Sequence, residues 1–333
     1  MPTIFVTFPP AARRNYYGDD AVAHLRRLGE VRLNPLERAL DTPDLIDAAR
    51  GCEIIIADRQ TPGRADLFPN LPDLVAFTRC AIDIRNIDVA AASENGILIT
   101  QASAGFIASV AEWIIGAMID LGRGISAASE SYHAGTMPVP AMGRELKGST
   151  LGVIGYGQIG GYLCDLGLGF GMRVVAADPH AKVANPRVHK VDVAELLADS
   201  DFVVCLAPAT TDTENLMNAQ AFATMKPTAF FINASRGELV DEAALADALD
   251  TGRIAGCALD VGRAPDQMPS PALARHPKAL ATPHVGGLTQ PAVAHQALET
   301  VAQAAEILQG RSPAGAVNTE HASRLARLRR STE

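Results

Sequence analysis

Short apolar runs alternate with longer helical patterns along almost the whole chain, the signature of a parallel α/β architecture in which helices cover a sheet. In the first part, residues 3–7, 52–57, 74–79 and 96–100 read as strands, and helices are expected near 20–28, 43–49 and 88–94. These elements make one small open sheet. A long helical pattern then starts at Ser103 and runs through Phe106, Val110, Trp113, Ile114 and Met118. It leads to further strands at 151–154, 173–178, 202–206, 229–233, 256–261 and 279–282. After His284-Val285-Gly286-Gly287 the pattern turns helical over 291–308, closed by Gly310 and followed by Pro313. Two parallel-sheet α/β domains are therefore expected, with residues 102–286 inserted into a domain made of 1–101 and 287–333.

The inserted domain opens on Leu151-Gly152-Val153-Ile154-Gly155-Tyr156-Gly157-Gln158-Ile159-Gly160, a buried-strand run feeding a Gly-x-Gly-x-x-Gly turn. Gly155 permits the tight turn, Gly157 lets backbone N–H groups approach a pyrophosphate, and Gly160 lets the following helix pack on the strand. A helix starting at Gln158 and Ile159 offers the phosphates its unpaired N–H groups and the positive end of its dipole. A second apolar strand, Arg173-Val174-Val175-Ala176-Ala177-Asp178, ends on an acid at the distance from which a carboxylate binds the adenosine ribose hydroxyls. Asp178 would repel a 2′-phosphate, so the expected cofactor is NAD rather than NADP.

Composition narrows the picture further. With 333 residues and 48% hydrophobic content, the chain can bury more than one compact unit usually holds. A net charge of −8 argues against an extended nucleic-acid surface. Only the stretch Arg324-Leu325-Ala326-Arg327-Leu328-Arg329-Arg330 is basic, and it reads as a solvated helix or frayed end. No secretory segment is expected, because the apolar run 3–7 is stopped by Pro9-Pro10. The apolar stretch around Trp113 carries Glu112 and Asp120 and is too short to span a bilayer. Cys52, Cys80, Cys164, Cys205 and Cys257 show no metal-type pairing and lie mostly in apolar elements. They are expected to be reduced core residues of a cytoplasmic protein, with no metal site.

Beyond the glycine turn, several blocks follow in order: Leu206-Ala207-Pro208-Ala209-Thr210-Thr211-Asp212-Thr213, Met225-Lys226-Pro227, Ile232-Asn233-Ala234-Ser235-Arg236-Gly237-Glu238-Leu239-Val240-Asp241-Glu242, Gly256-Cys257-Ala258-Leu259-Asp260-Val261 and Thr282-Pro283-His284-Val285-Gly286-Gly287-Leu288-Thr289. This ordered set, ending on Ala316-Val317-Asn318, resembles the D-isomer-specific 2-hydroxyacid dehydrogenases over almost the whole chain. The resemblance implies a Rossmann NAD-binding domain inserted into a flavodoxin-like substrate domain, a hinged cleft between them, and a homodimer. It further implies that Pro208, Thr213, Ala234, Asp260 and Gly286 line the cofactor site beside Gly155, Gly157, Gln158, Ile159, Gly160 and Asp178. Arg236 would hold the substrate carboxylate and polarise the carbonyl, since a guanidinium binds two oxygens and stays charged. His284 would exchange the proton, because an imidazole titrates near neutrality. The implied reaction interconverts a D-2-hydroxy acid and its 2-keto acid by hydride transfer.

The pattern breaks in two places. The family places a glutamate beside the histidine, but this chain reads Asp260-Val261-Gly262-Arg263-Ala264-Pro265-Asp266-Gln267. Counting from Arg236 lands on Pro265, and counting back from His284 lands on Asp266. Asp266 is therefore either the shortened carboxylate partner of His284 or a solvated loop residue. In the substrate domain the family's Gly-x-Gly loop is replaced by Ala81-Ile82-Asp83, which align with the substrate-binding positions. Asp83 would repel an anion there unless it turns outward or pairs with Arg85 or Arg59. Both departures suggest a substrate other than a simple small keto acid such as pyruvate, for example a bulkier sugar acid. A nucleotide-sensing, non-catalytic relative is the rival reading. His133 is either a surface residue or one that reaches an active site across a dimer interface.

Overall fold

The computed structural model describes residues Met1–Arg329. Its internal contacts divide the chain into two units, one made of Met1–Phe106 together with the residues from Gln290 onward, the other of Ile107–Thr289.

The first unit is built on five parallel strands: β1 (Thr3–Val6), β2 (Glu30–Leu33), β3 (Ile54–Ala57), β4 (Ala76–Arg79) and β5 (Leu98–Gln101). Their order is β2-β1-β3-β4-β5, the flavodoxin-like arrangement. β1, β3 and β4 are buried on both faces, as continuous apolar runs must be when helices cover both sides of a sheet. The helices Asp19–Leu28 and Gln290–Leu308 pack on one face around Ile4, Val6, Leu25 and Ile56, while Leu45, Phe68 and Phe77 fill the other. Asp41 and Asp88 cap the helices that follow them by accepting from the N–H groups of Asp44 and Ala91.

As expected, β1 ends before Pro9-Pro10, and a helix starts at Pro10, whose fixed φ suits a first helical position. Two expectations are corrected. The long helix begins at Ile107 rather than Ser103, because the Ser103 N–H and hydroxyl are both held 2.8 Å from the Glu299 carboxylate. The basic stretch is not simply solvated. Arg324 donates to the carbonyls of Leu71 and Leu74, and Arg327 to that of Pro72, while Arg330 lies outside the described residues.

The second unit has seven parallel strands: β6 (Thr150–Ile154), β7 (Arg173–Ala177), β8 (Val188–Lys190), β9 (Phe202–Cys205), β10 (Phe230–Asn233), β11 (Gly256–Leu259) and β12 (Ala279–Ala281). They lie in the order β12-β11-β10-β9-β6-β7-β8, a doubly wound Rossmann sheet whose strand order reverses beside β6. All strands being parallel, the segments that leave β6, β7, β9, β10, β11 and β12 emerge on one edge of the sheet. All five cysteines are buried and free of disulfides. Burial pushes the Cys80, Cys164, Cys205 and Cys257 thiols up to about 12. Among the described residues, no helix is long and apolar enough to cross a membrane.

Candidate active site

At the end of β6 the three glycines each meet a different spatial demand. Gly155 has φ +97, and a Cβ there would stand 2.7 Å from the main chain of Leu206 and Ala207, where the segment after β9 crosses. Gly160 sits on the first turn of the helix Gln158–Gly169, where a Cβ would come 2.1 Å from the Gly155 carbonyl oxygen. Around Gly157, by contrast, a Cβ would meet nothing within 4 Å. Open space therefore lies against the N-terminus of a twelve-residue helix, the place where anionic phosphates are favoured.

Asp178 follows β7 directly. Its Oδ2 accepts from the Tyr156 N–H inside the glycine turn, and its Oδ1 accepts from the N–H groups of His180 and Ala181, all at 2.8 Å. Partial burial works against the charged form, but these three hydrogen bonds outweigh it and hold the carboxyl below the usual range. Asp178 is thus a fixed anion at the rim of the turn.

After β9, the Thr213 hydroxyl donates to the Pro208 carbonyl at 2.7 Å and closes the 208–213 turn. Ser235 ties this segment to the neighbouring strand by donating to the Ala207 carbonyl at 2.6 Å. Arg236 comes two residues after Ala234 at the end of β10. Buried Asn233 shapes the bend before it, donating to the Arg236 carbonyl at 2.9 Å and accepting from the Ser235 N–H at 3.1 Å. The half-buried Arg236 guanidinium donates to the Ser235 carbonyl at 2.7 Å.

Asp260, at the end of β11, is 3% exposed, and its carboxylate faces three donors from the segment after β12. Oδ1 accepts from the Thr282 hydroxyl at 2.7 Å and the Val285 N–H at 2.8 Å, and Oδ2 accepts from the Gly286 N–H at 2.8 Å. Gly286 is required there, since a Cβ would fall 2.8 Å from Oδ2. Asp260 therefore grips both sides of His284, which it leaves half-buried with φ 56. A left-handed backbone at a non-glycine residue is costly and persists because its surroundings fix it.

Asp266 reaches His284 with its main-chain carbonyl. Nδ1 of the ring stands 3.0 Å from the Asp266 carbonyl oxygen. Asp266 and Gln267 both occupy the left-handed region, with φ 58 and 60, and this turn aims the carbonyl at the ring. Arg236 and His284 thus follow β10 and β12, the two neighbours of β11, on one edge of one sheet.

The residues that sequence reasoning missed are those that hold this edge together. Gly237 and Gly262 approach so closely that a Cβ on Gly237 would lie 2.2 Å from the Gly262 carbonyl carbon. Arg263 donates to the carbonyls of Glu238 and Val240 and to the side chains of Glu214 and Asn215. Gln267 donates to Glu238 Oε1 at 3.2 Å. Only the two glycines carried any sequence signal.

In the other unit, Ala81, Ile82 and Asp83 follow β4. Asp83 forms a forked pair with Arg85, with Nε to Oδ1 at 3.0 Å and Nη2 to Oδ2 at 2.7 Å. The preceding Arg79 is fully buried, donating to the Thr61 carbonyl at 2.9 Å and to Asn86 Oδ1 at 2.7 Å. Burial lowers its guanidinium to about 10. His133 lies exposed at the end of the helix Ile125–His133.

The sequence model of the D-isomer specific 2-hydroxyacid dehydrogenase NAD binding domain matches residues 115–286, just over half of the chain. The chain belongs to this family. The matched stretch includes the glycine turn, the helix terminus at Gln158 and Asp178. A hydroxypyruvate reductase of Thermotoga maritima is 32% identical to this family member over 279 residues, covering 82% of the chain and 90% of the relative. A D-3-phosphoglycerate dehydrogenase of Synechocystis sp. is 31% identical over 297 residues, covering 87% of the chain and 53% of the relative, so the chain spans about half that protein's length. The TT0316 protein from Thermus thermophilus superposes with a TM-score of 0.85 at 28% identity, covering 95% of this chain and 99% of that one.

Proposed function

We propose that this protein is an NAD-dependent oxidoreductase interconverting a D-2-hydroxy acid and its 2-keto acid. The observation that carries the reading is the shared sheet edge, where the cradle at Gly155, Gly157, Gly160 and Asp178 lies in line with Arg236 after β10 and His284 after β12. The residues fit the cofactor: Gly157 leaves open space at a helix N-terminus, and Asp178 is an anion suited to ribose hydroxyls and unsuited to a 2′-phosphate. In this reading Gln158, Ile159, Pro208, Thr213, Ala234, Asp260 and Gly286 complete the cofactor site. NAD, when bound, supplies or accepts the hydride.

The protein's own part is to orient the substrate and move a proton. Arg236 holds the substrate carboxylate and draws electron density toward the carbonyl oxygen, a role for which its permanent charge and forked donors suit it. His284, with Nδ1 directed at a carbonyl, presents Nε2 to give a proton to that oxygen on reduction and to take it on oxidation. Asp266 acts by setting the ring. Ala81, Ile82 and Asp83 recognise the rest of the substrate, and the Asp83–Arg85 pair in place of glycines favours an acid other than pyruvate, such as a sugar acid.

We further infer a cytoplasmic homodimer. Five buried thiols suit a reducing compartment. Ile125, Tyr132, Met137, Val139 and Met142 form an exposed apolar stretch suited to a second copy of the chain. NADH consumption with hydroxypyruvate, 3-carbon phosphorylated and sugar-derived 2-keto acids, pyruvate and glyoxylate tests the substrate reading. Turnover of at least one is expected, with pyruvate and glyoxylate poor. NADH binding without turnover on any of them would favour a nucleotide sensor.

A further inference from the structure

We infer that Gln267 is a positioning residue for His284: it pins the strained turn whose Asp266 carbonyl fixes the proton on the ring's Nδ1. This rests on the reading of His284 as the proton-exchanging group. A carbonyl oxygen can only accept, so a ring nitrogen at 3.0 Å from it must carry the hydrogen: in the neutral ring Nε2 then has the lone pair that takes a proton on oxidation, and in the imidazolium Nε2 holds the proton given on reduction. The orientation of that carbonyl therefore decides the tautomer.

The Asp266 C=O and the Gln267 N–H belong to one planar peptide group. Anything that fixes Gln267 fixes the carbonyl, and Gln267 is fixed twice. Its own carbonyl accepts from the Gly262 N–H at 2.9 Å, and its side-chain Nε2 donates to Glu238 Oε1 at 3.2 Å. A neighbouring bond from the Ala264 N–H to the Met268 carbonyl at 3.0 Å closes the turn around it.

Glu238 follows Arg236 by two residues, so one hydrogen bond links the segment carrying the arginine to the turn that sets the histidine. The backbones at Gly237 and Gly262 meet beneath this link, where a Cβ on Gly237 would be 2.2 Å from Gly262. The left-handed φ of 60 at Gln267 is unfavourable for a glutamine, and a glycine would adopt it without strain. A glutamine at such a position is explained by what its side chain holds.

The test replaces Gln267 with methionine, which keeps the length and removes the donor. Two readings are taken: steady-state kcat and KM, and the 15N resonances of His284 in the full chain without substrate. Gln267→Met is expected to lower kcat about tenfold while KM stays within about twofold, as for loss of a group that orients another. The His284 resonances should pass from a single Nδ1–H tautomer to a mixture. The exchanged pair Glu238→Gln with Gln267→Glu restores a donor facing an acceptor and should return both readings toward the parent. Gln267→Gly, which suits the backbone, should show the same losses with a folded protein. An unchanged tautomer in Gln267→Met or Gln267→Gly would overturn the proposal, whatever the rate does. Because the resonances need no substrate, this outcome is distinct from failure of the proposed reaction.

Discussion

Nδ1 of His284 and the main-chain carbonyl oxygen of Asp266 stand 3.0 Å apart. A carboxylate in that place adds a full charge that favours the imidazolium. A carbonyl adds only a dipole, yet fixes the tautomer as well. The tautomer therefore depends on the backbone conformation at Asp266.

That dependence separates two substitutions. Asp266→Gly accepts φ 58 readily and should raise stability by about 0.5–1 kcal/mol, with kcat falling less than about threefold. Asp266→Pro cannot reach a positive φ, so the carbonyl must swing away and kcat should fall by about a hundredfold. Thermal unfolding and steady-state rates measure both. Equal, large losses of rate in the two variants would mean that the carboxylate does the work.

The glycine turn makes a second contrast. Gly160→Ala drives a methyl group to 2.1 Å from the Gly155 carbonyl oxygen, and should cost about 1–3 kcal/mol of stability. Gly157→Ala has open space within 4 Å, so its melting temperature should stay near the parent's while NADH binding weakens about tenfold or more. Calorimetry and fluorescence titration of NADH check the pair, and a Gly157→Ala protein that binds NADH normally would remove the phosphate site from this turn.

Acid stability follows from Asp201. Burial works against its charge, but the Thr150 N–H at 2.8 Å, with Lys226 and Arg144 nearby, holds the carboxyl below its ordinary range. A folded-state value below the unfolded one adds stability that is complete above about pH 4 and is lost as the pH falls through the folded value. Urea midpoints of the parent and Asp201→Asn should therefore differ at pH 6 and converge below about pH 4. A gap that widens on acidification would contradict the sign of this linkage.

Much of this fold is legible in the sequence because its central strands are buried on both faces and read as unbroken apolar runs, as in Ile54–Ala57 or Phe202–Cys205. The edge strands Glu30–Leu33 and Val188–Lys190 escape such reading, since half-exposed edges carry polar residues and leave no run to find. The glycine turn and Asp178 are legible because steric demand and charge act within a few residues. The Asp266–Gln267 turn is not. Its left-handed backbone answers to Glu238, 29 residues from Gln267, and to His284, 18 residues from Asp266, and no local pattern encodes such a tie. Asp260 was visible as an acid, but its grip on Thr282, Val285 and Gly286 needed the strand order to place them together.

Joint action of Arg236 and His284 on a 2-keto acid beside bound NAD is measured directly by NADH oxidation in the parent and in Arg236→Lys with the best substrate of the panel. A lysine keeps the charge but loses the planar fork. In Arg236→Lys, kcat/KM should be lower by about a hundredfold or more, with NADH affinity unchanged. Parent-like turnover by that variant would contradict that joint action.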